Sequence, residues 1–122
     1  MKIIVCGSRD YKAAQIMFDY LDAFSAKYGV TDLIEGGARG ADRCAWTWAV
    51  TREVDVHEYP AAWDIYGKAA GGRRNQQMIN QNPDAVIAFF SNPEKPSLGT
   101  LDCIARAKAA GIKVYLASEL LK

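Results

Sequence analysis

Leu33-Ile34-Glu35-Gly36-Gly37-Ala38-Arg39-Gly40-Ala41-Asp42-Arg43-Cys44-Ala45 runs from an apolar stretch, through three glycines, into a pattern of helical period. Thr31 to Glu35 reads as a strand and Gly36 to Gly40 as a turn. Ala41 to Arg52 then reads as a helix with Cys44, Ala45, Trp48 and Ala49 on one face. The same unit recurs on either side. Upstream, the β-branched run Lys2 to Cys6 stops at the polar loop Gly7-Ser8-Arg9-Asp10. Ile16, Met17, Tyr20, Leu21 and Phe24 then mark a helix from about Ala13 to Tyr28, which Gly29 ends. Downstream, strands are expected over Asp55 to Tyr59, Asp84 to Phe89 and Lys113 to Leu116. A polar helix from Arg73 to Gln81, anchored by Met78 and Ile79, and an alanine-rich helix from Thr100 to Ala110 lie between them. Pro60 to Gly72 and Phe90 to Ser97 read as long loops.

Five strands alternating with four helices, each connection long enough for a crossover, imply an α/β fold with a parallel sheet. Right-handed crossovers favour the order 3-2-1-4-5, a Rossmann-like three-layer sandwich with helices on both faces. The chain reverses direction across the sheet between strands one and four. Ligands of such sheets bind at that point, beyond the carboxyl ends of the strands.

Of the 122 residues, 50% are hydrophobic and 24% charged, the balance of an ordinary globular domain, and residues 1–122 are expected to form one. A net charge of +1 argues against a broad nucleic-acid surface, so nucleic acid is not expected as a partner and any anion site must be local. No apolar run is long enough for a signal or a membrane span, which points to a cytoplasmic protein with no membrane partner. Cys6, Cys44 and Cys103 lack metal-ligand or disulfide spacing and read as reduced, partly buried thiols. No metal and no cofactor are expected.

Three loops gather the candidate ligand contacts. Gly36, Gly37, Ala38, Arg39 and Gly40, ahead of a helix, offer backbone N–H groups and a helix dipole to a phosphate. The same residues also suit a tight turn in which Asp42 complements the helix N-terminus. Asp42 would repel phosphate, so as a ligand contact it suits a ribose hydroxyl. Gly7, Ser8 and Arg9 end the first strand, where either a turn or a ligand would use them. Between Pro60 and Asn75, Trp63 offers a face for a base, with Tyr66 beside it, and Lys68, Arg74 and Asn75 offer charge and hydrogen bonds. The alternative makes the aromatics a lid and the arginines solvated. His57, the only histidine, has no nucleophile at a suggestive spacing, and Trp46 lies off the apolar face of its helix, where a second copy could meet it.

Taken together, Gly7-Ser8-Arg9-Asp10, the Gly36 to Asp42 loop, Pro60 to Trp63, Gly67-Lys68-Ala69-Ala70-Gly71, Arg74-Asn75 with Met78, and Ala88-Phe89 resemble the YspA-like, cpYpsA-related SLOG family. That superfamily is named for the Smf DNA-processing proteins and the LOG enzymes, which split cytokinin nucleotides into base and ribose 5-phosphate. The resemblance implies a nucleotide or nucleotide-derived ligand: a nucleoside phosphate, an ADP-ribose-like molecule or a cyclic nucleotide signal, bound by a sensor or sequestering protein. It also implies a homo-oligomer. LOG-like enzymes use an Arg in an R-K-x-x-M-type motif, matched here by Arg74, and a Glu in P-G-G-x-G-T-x-x-E. Of the second motif this chain keeps Gly99 and Thr100, with Cys103 where the Glu would stand. Glu35, Asp42 and Asp102 are the carboxylates available to replace it. Binding is therefore expected ahead of catalysis. The alternatives are a nucleoside 5′-monophosphate phosphoribohydrolase, an N-glycosidase with Arg74 and Asp42 as candidate catalytic residues, and a binder of single-stranded DNA.

Overall fold

The computed structural model describes residues 1–117. Its strands are β1 (Lys2–Gly7), β2 (Asp32–Glu35), β3 (Asp55–Glu58), β4 (Ala85–Phe89) and β5 (Lys113–Leu116). They form one parallel sheet of order β3-β2-β1-β4-β5. Helices α1 (Ala14–Tyr28) and α2 (Ala41–Thr51) cover one face, and α4 (Ala70–Ile79) and α5 (Leu98–Ala109) the other. The short α3 (Trp63–Tyr66) and a 3₁₀ turn over Gly67–Ala69 precede α4. The architecture matches the order and layering read from the sequence.

Alternation along β1 explains the two layers. Ile3 and Val5 join Met17, Tyr20, Leu21 and Phe24 of α1 and Ala45, Trp48 and Ala49 of α2. Ile4 and Cys6 join Met78 and Ile79 of α4 and Cys103, Ile104 and Ala107 of α5. Every residue of β4 is buried, as a strand covered on both faces requires. The Trp48 indole N–H donates to Asp22 at 2.9 Å, and Arg52 grips the same carboxylate through two nitrogens, which ties α2 to α1.

Three local expectations change. Ile16 is 55% exposed, because the buried stripe of α1 starts one residue later, at Met17. Residues 60–72 are no open loop: α3 and the 3₁₀ turn occupy 63–69, and α4 begins at Ala70, taking Gly71 and Gly72 into its first turn. A Cβ at Gly72 would lie 2.9 Å from the Arg106 guanidinium, so the small residues let α4 pack close to α5. Helix α5 opens at Leu98 rather than Thr100, since the Ser97 hydroxyl accepts the Thr100 N–H and caps it. Among the described residues no helix is long and apolar enough to cross a membrane.

Candidate nucleotide-binding cleft

Beyond the carboxyl ends of β1, β2 and β4 lies an open cleft of about 1300 Å³. Its walls come from the loop after β1, the start of α2, the α3–α4 segment, the loop after β4 and the first turns of α5. Ser8 holds two of these loops together: its N–H donates to the Phe89 carbonyl at 3.2 Å, and its hydroxyl accepts the Ser91 N–H at 3.3 Å. Ser91 in turn donates to Asp10 at 2.7 Å.

Gly7, Ser8, Arg9, Ala38, Arg39, Asp42, Trp63, Lys68, Arg74, Asn75, Gly99 and Thr100 all line the cleft; Gly36, Gly37 and Gly40 do not. The glycine loop is no open phosphate cradle. The Gly37 N–H donates to Glu35 Oε2 at 2.9 Å, and the Ala38 N–H to Asp42 Oδ2 at 3.2 Å, with the Gly36 N–H also turned to Asp42. A phosphate there would have to displace two carboxylates. Gly40 is required for another reason: at φ +77° it passes beneath the carbonyls of Ser8 and Arg9, where a Cβ has no room. Asp42 complements the start of α2, as the turn reading of this loop had it.

Arg74 also has work inside the protein. Its Nη1 donates to the Gly36 carbonyl and its Nε to Asn75 Oδ1 at 3.0 Å, and its charge faces Asp42. Asn75, 4% exposed, passes the network on by donating to the Gly99 carbonyl at 3.1 Å and to Asp102 Oδ2 at 2.9 Å. Arg106 adds Nε to the same Oδ2 at 2.8 Å and Nη1 to Gln76 at 3.1 Å. This chain of bonds fixes α4 against both β2 and α5.

Charge is concentrated here. Arg9, Arg39, Lys68, Arg73, Arg74, Lys95 and Arg106 line the cleft against only Asp10, Asp42 and Asp102. The side chains of Arg39, Lys68 and Lys95 have no hydrogen bond or ion pair with any described residue, so they are available to a ligand. Arg9 lies over the Trp63 ring at 5.5 Å and Arg73 over Tyr66 at 4.2 Å, with both rings about half exposed. The first N–H groups of α5 open onto the same space and add a partial positive charge. Burial lifts the Asp42 carboxyl above the usual carboxylate range, against the backbone N–H of Ala38 and the Arg74 charge. Burial also pushes at Asp102, but the hydrogen bonds from Arg106 and Asn75 outweigh it and hold that carboxyl below its ordinary value.

Glu35 is fully buried outside the cleft, with Oε1 lacking a hydrogen bond, and burial raises its carboxyl to about 8, helped by Glu58 and Asp42. His57 lies on the edge strand, 3.2 Å from Asp32 and away from the cleft. Cys103 is 1% exposed in the α4–α5 core and supplies nothing to a ligand. Trp46 is half-buried on α2, with Arg43 over its ring at 4.3 Å. Arg73, Lys95, Asp102 and Arg106 were not nominated as ligand contacts from sequence. The Asp102/Arg106 spacing of four on a helix was the visible signal for that pair.

A family described as YspA, cpYpsA-related SLOG matches residues 1–66, the segment from β1 through α3 that carries the first two cleft loops. The Gene 61 protein of Mycobacterium phage D29 is 35% identical over 120 residues, covering 93% of each chain. Among solved structures, the X-ray structure of DNA processing protein A (DprA) from Streptococcus pneumoniae matches 94% of this chain with a TM-score of 0.69 and 18% identity. This chain spans 49% of that protein, and the likeness is one of fold. With the family match running over residues 1–66, more than half of the chain, the chain belongs to the YspA, cpYpsA-related SLOG family.

Proposed function

We propose that the cleft binds a nucleotide or nucleotide-derived ligand, and that the protein acts as a sensor or sequestering module. The observation that carries this reading is the pairing of unengaged cations with an exposed aromatic face in one cleft: Arg39, Lys68 and Lys95 around Trp63. A base stacks on Trp63, displacing or sharing Arg9, while phosphate meets the cations and the start of α5. Glycosidic cleavage has less support, because Cys103 stands buried where the LOG motif has its Glu, and Asp42 is occupied by backbone N–H groups.

A thermal-shift panel of nucleoside monophosphates, NAD, ADP-ribose and cyclic nucleotides tests the reading. A ligand at 100 times its dissociation constant adds about 2.7 kcal/mol, which at this chain length raises the melting point by many degrees. No shift with any member sinks the proposal. Released base in the positive wells would restore the phosphoribohydrolase reading.

Single-stranded DNA is the second reading, and one observation favours it: seven cations, concealed by a net charge of +1, meet in an open cleft with the half-exposed Trp63. The fold neighbour is named as a DNA processing protein. An oligonucleotide that competes with no nucleotide and binds equally at low and high salt would remove this reading. Self-association is proposed as well, with the exposed Ile65, Leu98 and Leu101 near the cleft as apolar surface for it.

A further inference from the structure

The geometry points to Asp102 as the acceptor for a sugar hydroxyl, which makes the cleft selective for ribonucleotides over 2′-deoxyribonucleotides. This rests on the nucleotide reading above and narrows it. The two oxygens of Asp102 are treated differently by the protein. Oδ2 receives both available donors, Asn75 Nδ2 at 2.9 Å and Arg106 Nε at 2.8 Å, which fix the plane of the carboxyl group. Oδ1 has no partner among the described residues, and the side chain is 38% exposed on the cleft wall. One oxygen anchored and the other free is the arrangement of a group built to accept from a ligand.

The chemistry of the acceptor selects the donor. An anionic carboxylate repels phosphate, so the phosphate belongs with Lys95, Lys68 and the first N–H groups of α5. Asp102 lies four residues into α5 from Leu98, about 6 Å along the axis, roughly the reach of one sugar ring with its ester. The base belongs to the Trp63 face. The group left between phosphate and base is the sugar, whose hydroxyls are donors. Of the other cleft carboxylates, Asp42 accepts from Gly36 and Ala38, while Asp10, held at one oxygen by Ser91, lies on the loop after β1 and not on α5 beside the phosphate position.

The test compares the common ribonucleoside 5′-monophosphates with their 2′-deoxy counterparts by calorimetry on the unaltered chain, then repeats it with Asp102→Asn. In the variant the amide oxygen can keep the Asn75 and Arg106 donors while NH₂ replaces the free acceptor, so the fold is preserved. The unaltered protein should prefer ribonucleotides by about tenfold or more, the size of a hydrogen bond to a charged group. In the variant that ratio should fall toward one, with the melting temperature held. Equal binding of both sugar types by the unaltered protein overturns the inference while leaving the nucleotide reading intact. So does a variant that keeps the ratio, or that shifts base preference instead. Binding of neither type removes the nucleotide reading itself.

Discussion

Replacing Glu35 by Gln should make the protein more stable above neutral pH and leave it unchanged in mild acid. Glu35 is 0% exposed, and its side chain accepts the Gly37 N–H at Oε2. Across the β2–β3 pairing it stands in register with Glu58. Burial is the main reason its carboxyl rises from 4.5 to about 8, with Glu58 and Asp42 adding to the shift. The sign follows from proton counting. Between these two values the folded state holds a proton that the unfolded chain has released, so stability is full below about 4.5 and falls as pH climbs toward 8. Taken at face value the shift corresponds to a loss of about 5 kcal/mol. Relaxation and water entry reduce such penalties, so about 2 kcal/mol or more is the expected difference between the two proteins at pH 9.

Glutamine mimics the protonated acid. It keeps an acceptor for Gly37 and can donate to Glu58, and it has no charge to expel at high pH. Urea unfolding of both proteins from pH 5 to 9 reads the effect, and the difference between the two curves isolates this one group because the other titrations are shared. The curves should coincide near pH 5, diverge through neutrality and run parallel again above 8. Curves that stay parallel throughout would refute the reasoning, since they would mean that Glu35 ionises in the folded protein at an ordinary pH.

Two further substitutions, with a third as their reference, test how the cleft is held. Arg74→Ala removes the charged donor to the Gly36 carbonyl and to Asn75 and the counter-charge to Asp42, so it should cost about 2 kcal/mol of stability before any ligand is added. That is a fall of roughly 10 °C in melting temperature, and a fall below about 2 °C would show that the network is dispensable. Gly40→Ala should destabilise by about 2 to 3 kcal/mol, because a Cβ there meets the Ser8 and Arg9 carbonyls as well as an unfavourable φ. Gly111→Ala, at φ +75° with open space around it, carries the φ cost alone, about 1 kcal/mol, and equal melting temperatures for the two variants would refute the steric part.

The sheet was legible because its strands carry the decisive pattern. β1 and β4 are short continuous apolar runs that must be covered on both faces, and the helical stripes of α1, α2 and α5 supply the covers. The 60–72 segment was not legible for the opposite reason. Trp63, Asp64, Ile65 and Tyr66 are all exposed, so α3 has no buried stripe to betray it, and α4 opens with two glycines that weaken any helical signal. What fixes these turns is the approach of Trp63 to Gly71 and of Arg106 to Gly72, a tertiary matter.

The cleft shows the same division at the level of single groups. Position in a doubly wound sheet was enough to nominate Ser8, Arg9 and Thr100, because that fold brings the residues after strands one and four together, whereas Asn75 was nominated from the aromatic and basic composition of the 60–75 stretch. What each group does with its hydrogen bonds is set by neighbours distant in sequence. The glycine loop looked like an anion site until Glu35 and Asp42 are seen to take its N–H groups. Arg74, the most prominent cation in the motif, is largely committed to Gly36 and Asn75, whereas the side chain of Lys95, in a loop with no motif of its own, has no partner among the described residues.

Net charge is a coarse guide for a related reason. It sums over the chain, but a ligand meets the potential of one cleft, and here seven cations stand against three carboxylates while the other described acidic residues lie elsewhere. A value of +1 therefore excludes a broad polyanion track and says nothing against a compact anion. The bonding pattern sharpens this further: Arg74 and Arg106 are tied to protein acceptors and Arg9 and Arg73 lie over aromatic rings, so three of the seven charges, those of Arg39, Lys68 and Lys95, are unengaged among the described residues. A ligand with one to three phosphate charges matches that supply. A long nucleic acid would reach further charge only by opening the Arg106–Asp102 ion pair, part of the network that joins α4 to α5.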